Sequence, residues 1–255
     1  MTRVSEYQDV KCCICKTGNK VQFVYSTSIL NGPDLDTRPA FMARYNIIYE
    51  VNICKNCGYC NMDLDKEIFG AKKVIKSSVY QRQLKKHKYP KKANEFCCLA
   101  MIYESKGDIV QAGWQYLKSA WICDDKKMQK QNLEKNKADG KNKGTNSNEL
   151  ILTPQIIAYG KSARIFRQKA LEKFQSAITM NKTIMKTKGE ERLLLADINR
   201  RSGKFNIAEE ICFMAQAKKL NQNIRQLLNY ELYLCKIKDD TCHNVEDVIA
   251  YDISK

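Results

Sequence analysis

Apolar and polar residues follow two different patterns, one near the N-terminus and one after residue 93. Residues 20–26 and 46–53 are short runs rich in β-branched and aromatic side chains, which are typical of strands. After residue 93, apolar side chains recur every three or four positions, as in packed helices. The pattern predicts an α+β protein that is mostly α, with a small β module over residues 1–64.

The helical part contains two segments whose small residues occur at the same offsets. In each, a Leu-Ala pair is followed by a glycine and then by a second alanine, a spacing typical of tetratricopeptide helix pairs. A third, weaker copy lies between them, with Ile165 where a glycine is expected. We therefore predict a tetratricopeptide-like repeat domain over residues 93–235. The copies contain Leu99, Ala100, Tyr103, Gly107, Ala112 and Tyr116; Leu195, Ala196, Gly203, Ala208 and Cys212; and Ile157, Ala158, Ala170, Phe174 and Ala177.

Changes in composition divide the rest of the chain. Residues 65–92 are predicted to be a basic helical connector. Residues 124–148 are rich in Lys, Asn, Gly and Asp and have few large apolar side chains, so we expect a flexible loop there. Residues 236–255 are expected to be a short polar tail. Four aromatic side chains of the repeat domain either line a groove or fill the core, and we favour the core: Tyr103, Trp114, Tyr116 and Trp121.

Two Cys-x-x-Cys pairs, 38 residues apart, are the most informative motif in the chain. Zinc in a structural site takes four ligands in a tetrahedron, and two such pairs supply four thiolates. Gly58 follows the second pair, where the turn needs backbone dihedrals that glycine accepts, and Lys16 holds the same place in the first. We therefore predict that residues 1–64 form a zinc-ribbon-like module, with a structural Zn²⁺ ion bound by Cys12, Cys15, Cys54 and Cys57.

Two neighbouring cysteines leave an alternative open. Cys13 pairs less usually with Cys15, and Cys60 either competes as a ligand or remains a buried thiol. Cys-x-x-Cys pairs also carry out redox chemistry, but a thioredoxin-type site needs only one pair. A site with four cysteine ligands has no open coordination position, so the sequence predicts a structural role and no catalytic residues.

The chain is strongly basic, with a formal net charge of +16. Lysine predominates, and an A/T-rich coding sequence accounts for this excess without any ligand. The densest positive stretch is residues 66–92, which has ten Lys or Arg residues against one acid. If the charge binds a nucleic acid, its phosphates are expected to contact this segment. The candidate residues are Lys85, Lys86 and Lys88.

A second polar cluster lies between the cysteine pairs. Asp34, Asp36, Arg38 and Arg44 fall within eleven residues. The simpler interpretation is an ion-paired loop that stabilises the module. The functional interpretation makes Arg38 and Arg44 a small site for an anion or a peptide terminus.

Targeting signals do not stand out. Residues 1–11 are polar, and the chain has no run of 18 apolar residues, so we expect a soluble protein that does not enter a membrane. Twelve cysteines are expected to be thiols or metal ligands in a reducing compartment, which favours the cytoplasm.

Three motifs together resemble a family. They are the first Cys-x-x-Cys, the segment Asp-Leu-Asp-Thr-Arg-Pro-Ala-Phe-Met-Ala-Arg at 34–44, and Cys-Lys-Asn-Cys-Gly-Tyr-Cys at 54–60, with Ala-Trp-Ile-Cys-Asp-Asp at 120–125 in support. The chain resembles a family of uncharacterised bacterial proteins with an N-terminal double Cys-x-x-Cys module and tetratricopeptide-like helices. The resemblance implies a cytoplasmic bacterial protein, and it implies no activity.

Two functions are predicted. The first is a non-enzymatic zinc-binding scaffold that binds a protein or peptide in the groove of its helical repeats. The alternative is a nucleic-acid-binding protein that uses the zinc module and residues 66–92. An enzyme or redox switch has the least support.

Overall fold

The structure is a computed structural model that describes residues 2–141, 153–216 and 220–253. Over these ranges it is mainly helical, with strands confined to the first 61 residues. The described strands form three antiparallel two-stranded sheets, β1 with β4, β2 with β3, and β5 with β6. The strands are β1 (Arg3–Val4), β2 (Gln8–Lys11), β3 (Gly18–Val21), β4 (Val24–Ser26), β5 (Asn52–Ile53) and β6 (Cys60–Asn61).

The helices confirm an α+β protein that is mostly α. No helix within the described ranges is both long enough and apolar enough to cross a bilayer. A 3₁₀ helix, Tyr45–Tyr49, follows the first α-helix. The α-helices are α1 (Phe41–Arg44), α2 (Ala71–Lys76), α3 (Ser78–Leu84), α4 (Lys91–Lys106), α5 (Ile109–Lys141), α6 (Pro154–Thr179), α7 (Lys188–Arg200), α8 (Phe205–Gln216), α9 (Gln222–Lys236) and α10 (Val245–Ile253).

The two predicted strands are shorter than expected. Residues 20–26 are divided between β3 and β4, which pair with different strands. Of residues 46–53, only Asn52–Ile53 forms a strand, because the chain leaves α1 directly into the 3₁₀ helix. Ile47 and Val51, which are four residues apart, are buried, whereas Ile48 is 42% exposed. This spacing of buried residues suits helical turns better than an alternating strand.

Two of the three predicted helix pairs are present and share the same turn. Gly107 ends α4 with a φ of 80°, and Gly203 follows α7 with a φ of 79°. Each turn is closed by two backbone hydrogen bonds, from the glycine and from the next residue, to carbonyls three and five residues back. The alanines at matching positions are all buried: Ala100, Ala112, Ala196 and Ala208.

The weaker third copy is wrong. Ile157, Ala158, Ala170 and Ala177 all lie in α6, which is a single helix of 26 residues. The helix contains no glycine that could turn the chain near Ile165, so it continues past the position where a second helix was expected. The repeat architecture as a whole stays a prediction.

The predicted flexible loop is also wrong over residues 124–141, which continue α5; residues 142–148 lie outside the described residues. Lys, Gln and Glu are good helix formers even where they bury little apolar surface. Lys130 and Glu134, one helical turn apart, form an ion pair at 3.1 Å. Helix propensity and local pairing thus favour a helix where composition suggested a loop.

The predicted polar tail contains α10, which packs back on the N-terminal half. Val248 of α10 belongs to a buried cluster with Leu35, Tyr230 and Leu234. Asn244 forms an antiparallel bridge with Asp34. The segment after residue 236 is therefore part of the fold.

The apolar core runs across the predicted boundary at residue 65. One cluster contains Cys12 and Val21 of the N-terminal module, Tyr80 of α3, and Phe174 of α6. Lys118 of α5 also forms a 2.5 Å ion pair with Glu50 of the module. Helices α2 to α7 and the cysteine-bearing hairpins thus share one hydrophobic core.

Candidate metal centre

The two Cys-x-x-Cys segments have the same backbone geometry. The amide of Lys16 donates to the carbonyl of Cys12 at 2.8 Å, and the amide of Gly58 donates to the carbonyl of Cys54 at 3.0 Å. Lys16 and Gly58 both have a left-handed conformation, with φ of 62° and 75°. Lysine at position 16 therefore adopts the turn that glycine adopts at position 58.

The second Cys-x-x-Cys turn, called here the second knuckle, packs against α3. The Tyr80 hydroxyl donates to the carbonyl of Gly58 at 2.7 Å. A Cβ atom at Gly58 would lie 2.4 Å from Leu84 Cδ2, so only glycine allows this approach. The first knuckle is attached by the amide of Cys13, which donates to the carbonyl of Leu64 at 2.8 Å.

The four predicted ligands lie together. Their Sγ atoms are all within 4.8 Å of one another, with 3.7 Å between Cys12 and Cys57 and 3.5 Å between Cys15 and Cys54. A zinc ion about 2.3 Å from each sulfur of a tetrahedron separates the sulfurs by about 3.8 Å. The cluster therefore has the donor type, number and spacing of a four-cysteine metal site.

Asn19 holds the two knuckles in register, and no local feature of the sequence indicates this role. Its side-chain amide donates to the carbonyl of Thr17 at 2.8 Å and approaches Cys54 Sγ at 3.6 Å. Its side-chain oxygen accepts from the amide of Lys55 at 3.0 Å. A single buried side chain thus orients one ligand and ties the first hairpin to the second.

The thiols differ in environment. Burial raises the pKa of Cys12 and of Cys57, whereas a hydrogen bond with the Thr17 hydroxyl lowers the pKa of Cys15 to about 5. Cys12 and Cys54 are almost completely buried, and Cys15 and Cys57 are half-buried. A bound cation would bring all four to the thiolate form.

Cys13 and Cys60 lie outside the cluster of candidate ligands. Cys60 is fully buried, and its Sγ lies 3.6 Å from the carbonyl of Gly58. Cys98 of α4 hydrogen-bonds with it. Cys60 is therefore a core thiol that packs behind the second knuckle.

The family model described as an uncharacterized protein conserved in bacteria (DUF2225) matches residues 6–230. The chain belongs to this family. The match to DUF2225 covers both knuckles and all of α1 to α8. Comparison with curated proteins and with solved structures finds no significant match.

In this DUF2225 chain the predicted arginine pair is bound to carboxylates. Arg38 is almost completely buried and forms an ion pair with Asp125 of α5. Arg44 forms an ion pair with Asp34 at 2.5 Å. Burial and the neighbouring Asp36 raise the pKa of Asp34. These contacts match the ion-paired loop, and anion binding by this pair stays a prediction.

Asp36 is the centre of a buried charge network that the sequence analysis missed. The indole nitrogen of Trp121 donates to Asp36 Oδ2 at 2.7 Å, and Arg201 Nη1 donates to the same atom at 3.0 Å. Arg201 Nη2 then reaches Asp124 at 2.8 Å, and Arg167 also pairs with Asp124. Burial opposes ionisation of Asp124, but the two guanidinium groups outweigh it and hold its pKa below the ordinary value.

The network joins the loop before α1 to three helices. Trp121 and Asp124 lie in α5, Arg167 lies in α6, and Arg201 follows α7. Trp121 is thus a core residue, as is the buried Tyr116, while Tyr103 and Trp114 are half-buried against the same core. The arginines carry no local motif, and Asp124 was visible only as part of the Asp-Asp pair that ends the 120–125 motif.

The three predicted lysines lie on the surface. Lys85, Lys86 and Lys88 are exposed, and they make no ion pair within the described part of the chain. The Lys88 ammonium lies 4.9 Å from the centre of the Tyr89 ring. Lys72, Lys73, Lys76 and Arg82 of α2 and α3 are also exposed and extend this positive surface.

Proposed function

We propose that the protein is a non-enzymatic scaffold organised by one structural zinc ion, which Cys12, Cys15, Cys54 and Cys57 bind. The observation that carries the proposal is the packing of four Sγ atoms within 4.8 Å. Four sulfur donors in a tetrahedron suit zinc or iron, and zinc is the usual ion of structural sites built from two knuckles. Four protein ligands leave no position for a substrate or a reactive water.

Metal analysis of the purified protein tests the site. Native mass spectrometry is expected to show one zinc ion per chain and no disulfide. Cys15→Ser should abolish stoichiometric binding, and Cys13→Ser, two residues away and outside the cluster, should retain it. A protein that absorbs visible light and contains iron, or a Cys13→Ser variant that loses the metal, would contradict the proposed zinc set.

The scaffold role rests on the helical part. Three large apolar side chains of α8 are exposed, with Ile207, Phe213 and Met214 at 45%, 54% and 57%. Large apolar side chains exposed on one helix are candidates for an interaction surface. We propose that the protein or peptide partner binds at α8, and not at the metal centre.

Affinity purification from the source cell tests the partner. A protein recovered with the wild type should be lost with the double variant Phe213→Ser, Met214→Ser. Ile249→Ser removes a similarly exposed side chain from α10 and should keep the partner. Recovery of no protein, or equal loss with both variants, would count against a partner at α8.

Nucleic-acid binding is the second candidate, supported by the exposed lysines of residues 66–92. Affinity for RNA or DNA should fall linearly on a log–log plot against salt, because binding releases counterions. Neutralising Lys85, Lys86 and Lys88 to Gln should reduce that slope. The matched variant Lys126→Gln, Lys135→Gln, Lys236→Gln removes the same charge elsewhere and should leave it unchanged. An affinity that does not change with salt concentration would exclude this function.

A further inference from the structure

A cavity of about 450 Å³ lies between α5, α6, the loop that carries Arg38 and Arg44, and residues 240–242. Its volume is within the range of sites that bind small molecules, about 300 to 1,000 Å³. Asp124, Arg167 and Arg201 of the buried charge network line it, and none of the four candidate metal ligands does. It therefore offers a binding site that is independent of the metal.

The wall of the cavity carries an excess of positive charge. Seven cationic side chains line it, against three carboxylates. All three carboxylates are already paired: Asp124 with Arg167 and Arg201, Asp125 with Arg38, and Asp240 with Arg164. Arg44 is paired with Asp34, which lies outside the lining.

Two lysines supply the remaining charge. Lys127 of α5 and Lys161 of α6 both line the cavity and have no ion-pair partner among the side chains that the structure describes. An anion entering the cavity would complete their charge-assisted hydrogen bonds without breaking an existing pair.

The same cavity has an apolar side. Met128, Ile156, Ile157 and Ala163 contribute to its wall next to the lysines. Ile156 is fully buried, so this part of the wall is continuous with the protein interior. A ligand that suits both halves has an anionic group joined to an apolar body.

Gly160 keeps the cavity open. It lies in the interior of α6, where glycine destabilises a helix relative to alanine. A Cβ atom there would meet nothing closer than the Lys127 side chain at 3.8 Å. By contrast, a Cβ atom at Gly113 would lie 2.6 Å from Phe174, so close packing requires that glycine. Packing does not require Gly160, and its missing side chain leaves room at the cavity wall.

We propose that this cavity binds a small organic anion with an apolar body, held by Lys127 and Lys161 and admitted by Gly160. The inference does not depend on the zinc ion or on the partner at α8. A peptide that inserts its terminal carboxylate is the competing occupant.

Fluorescence titration of the full chain with anilinonaphthalene sulfonate, an anionic aromatic dye, tests the proposal. The dye should bind at one site per chain, and its neutral counterpart phenylnaphthylamine should bind much more weakly. The double variant Lys127→Gln, Lys161→Gln should bind the dye about tenfold more weakly, because it removes two charged donors. The matched variant Lys72→Gln, Lys73→Gln, on α2, should bind as the wild type does.

Gly160→Leu is the sharpest variant, because it places an apolar side chain at the cavity wall, at a position where a Cβ atom has room. It should abolish dye binding while keeping or raising the midpoint of thermal unfolding, since leucine is a better helix former. The proposal is overturned if Gly160→Leu binds the dye normally, if the neutral dye binds equally well, if both lysine variants weaken binding equally, or if the wild type does not bind. If a tripeptide with a free C-terminus displaces the dye and octanoate does not, the ligand of the cavity is a peptide carboxylate and not a small organic anion.

Discussion

The cysteine cluster and the Asp36 charge network both include residues of the N-terminal module but are built in opposite ways. The cysteine cluster joins two knuckles whose residues are local in sequence, and one cation is expected to neutralise its thiolates. The charge network consists of buried and largely buried side chains from four distant segments, and Asp36 and Arg201 are 165 positions apart in the chain. The first is a centre that an external ion is expected to complete, whereas the charges of the second are paired within the chain.

This contrast separates two ways of attaching the module to the helices. The metal is expected to order the hairpins, but the ion pairs of Asp36 connect the loop between the hairpins to α5, α6 and α7. A buried ion pair adds little net stability over an apolar pair, but leaving one charge without its partner is costly. The two centres should therefore respond differently to damage.

Metal removal should have the largest effect. Apparent binding free energies of structural zinc, about 10 to 16 kcal/mol, equal or exceed the whole stability of a typical domain. Because the apolar core crosses residue 65, chelation under reducing conditions should release zinc and unfold the helices in one transition. Circular dichroism at increasing chelator concentration measures this, and a helical signal that survives zinc release would show that residues 1–64 fold separately.

Loss of Asp36 should be the next largest effect. Asp36→Ala leaves Arg201 and Trp121 without their shared acceptor and should lower the free energy of unfolding by about 3 to 5 kcal/mol. Urea denaturation at neutral pH measures it. The control is Asp63→Ala, which breaks an exposed pair with Lys66 and should cost less than about 1 kcal/mol. Equal losses in the two variants would mean that burial of the network is unimportant.

Asn19→Ala should weaken the metal centre more gently. The substitution removes the bonds to Lys55 and Thr17 and the contact with Cys54 but no ligand, so zinc affinity should fall about 10- to 100-fold. Competition with a chromophoric chelator measures the affinity. Asn52→Ala, whose side chain reaches only the exposed carbonyl of Met62, is the matched control and should leave it unchanged.

Per pH unit, the pH dependence of stability should show the smallest effect. Arg200, next to Arg201, lies between Asp197 and Glu231, each 2.7 Å away, and all three are fully buried. Burial and the charge of Asp197 raise the pKa of Glu231 to about 8. The folded protein therefore binds a proton that the unfolded chain releases near pH 4.5.

The direction in which stability changes with pH follows from the binding of that proton. The stabilisation is fully present below the pKa of the unfolded chain and is lost as pH rises towards 8, by at most about 1.4 kcal/mol per pH unit. Glu231→Gln should flatten this part of the profile relative to the wild type. Urea denaturation from pH 5 to pH 8.5 measures both, and parallel profiles would show that Glu231 is ionised throughout.

The cysteine centre could be predicted from sequence because its information is local. Spacing alone identifies two knuckles, and Gly58 marks the turn that Lys16 also adopts. The role of Asn19 could not be predicted, because an asparagine four residues after a knuckle can make many different contacts. Only the folded structure brings the amide of Lys55 to its side chain. The charge network was invisible for a related reason, because Arg167 and Arg201 lie in ordinary helical sequence.

Two errors in the helical part have different causes. Residues 124–141 form a helix and not the predicted loop, because the helix propensity of Lys, Gln and Glu outweighs the low content of large apolar side chains. For α10 a local signal existed and was overlooked. The Asn244 side chain accepts from the amide of Asp247, and Asp247 accepts from the amide of Asn244, which is the reciprocal pattern of a helix start.

The contact between Gly32 and Glu246 has a consequence for biosynthesis. The amide of Gly32 donates to a carboxylate 214 residues later in the chain. At about 5 to 20 residues per second, a ribosome needs about ten to forty seconds to make that span. The knuckles emerge early and can capture zinc during this delay, whereas Asp34 and Asp36 must wait for their partners. Nascent chains of this protein are therefore expected to carry metal before they can close their fold.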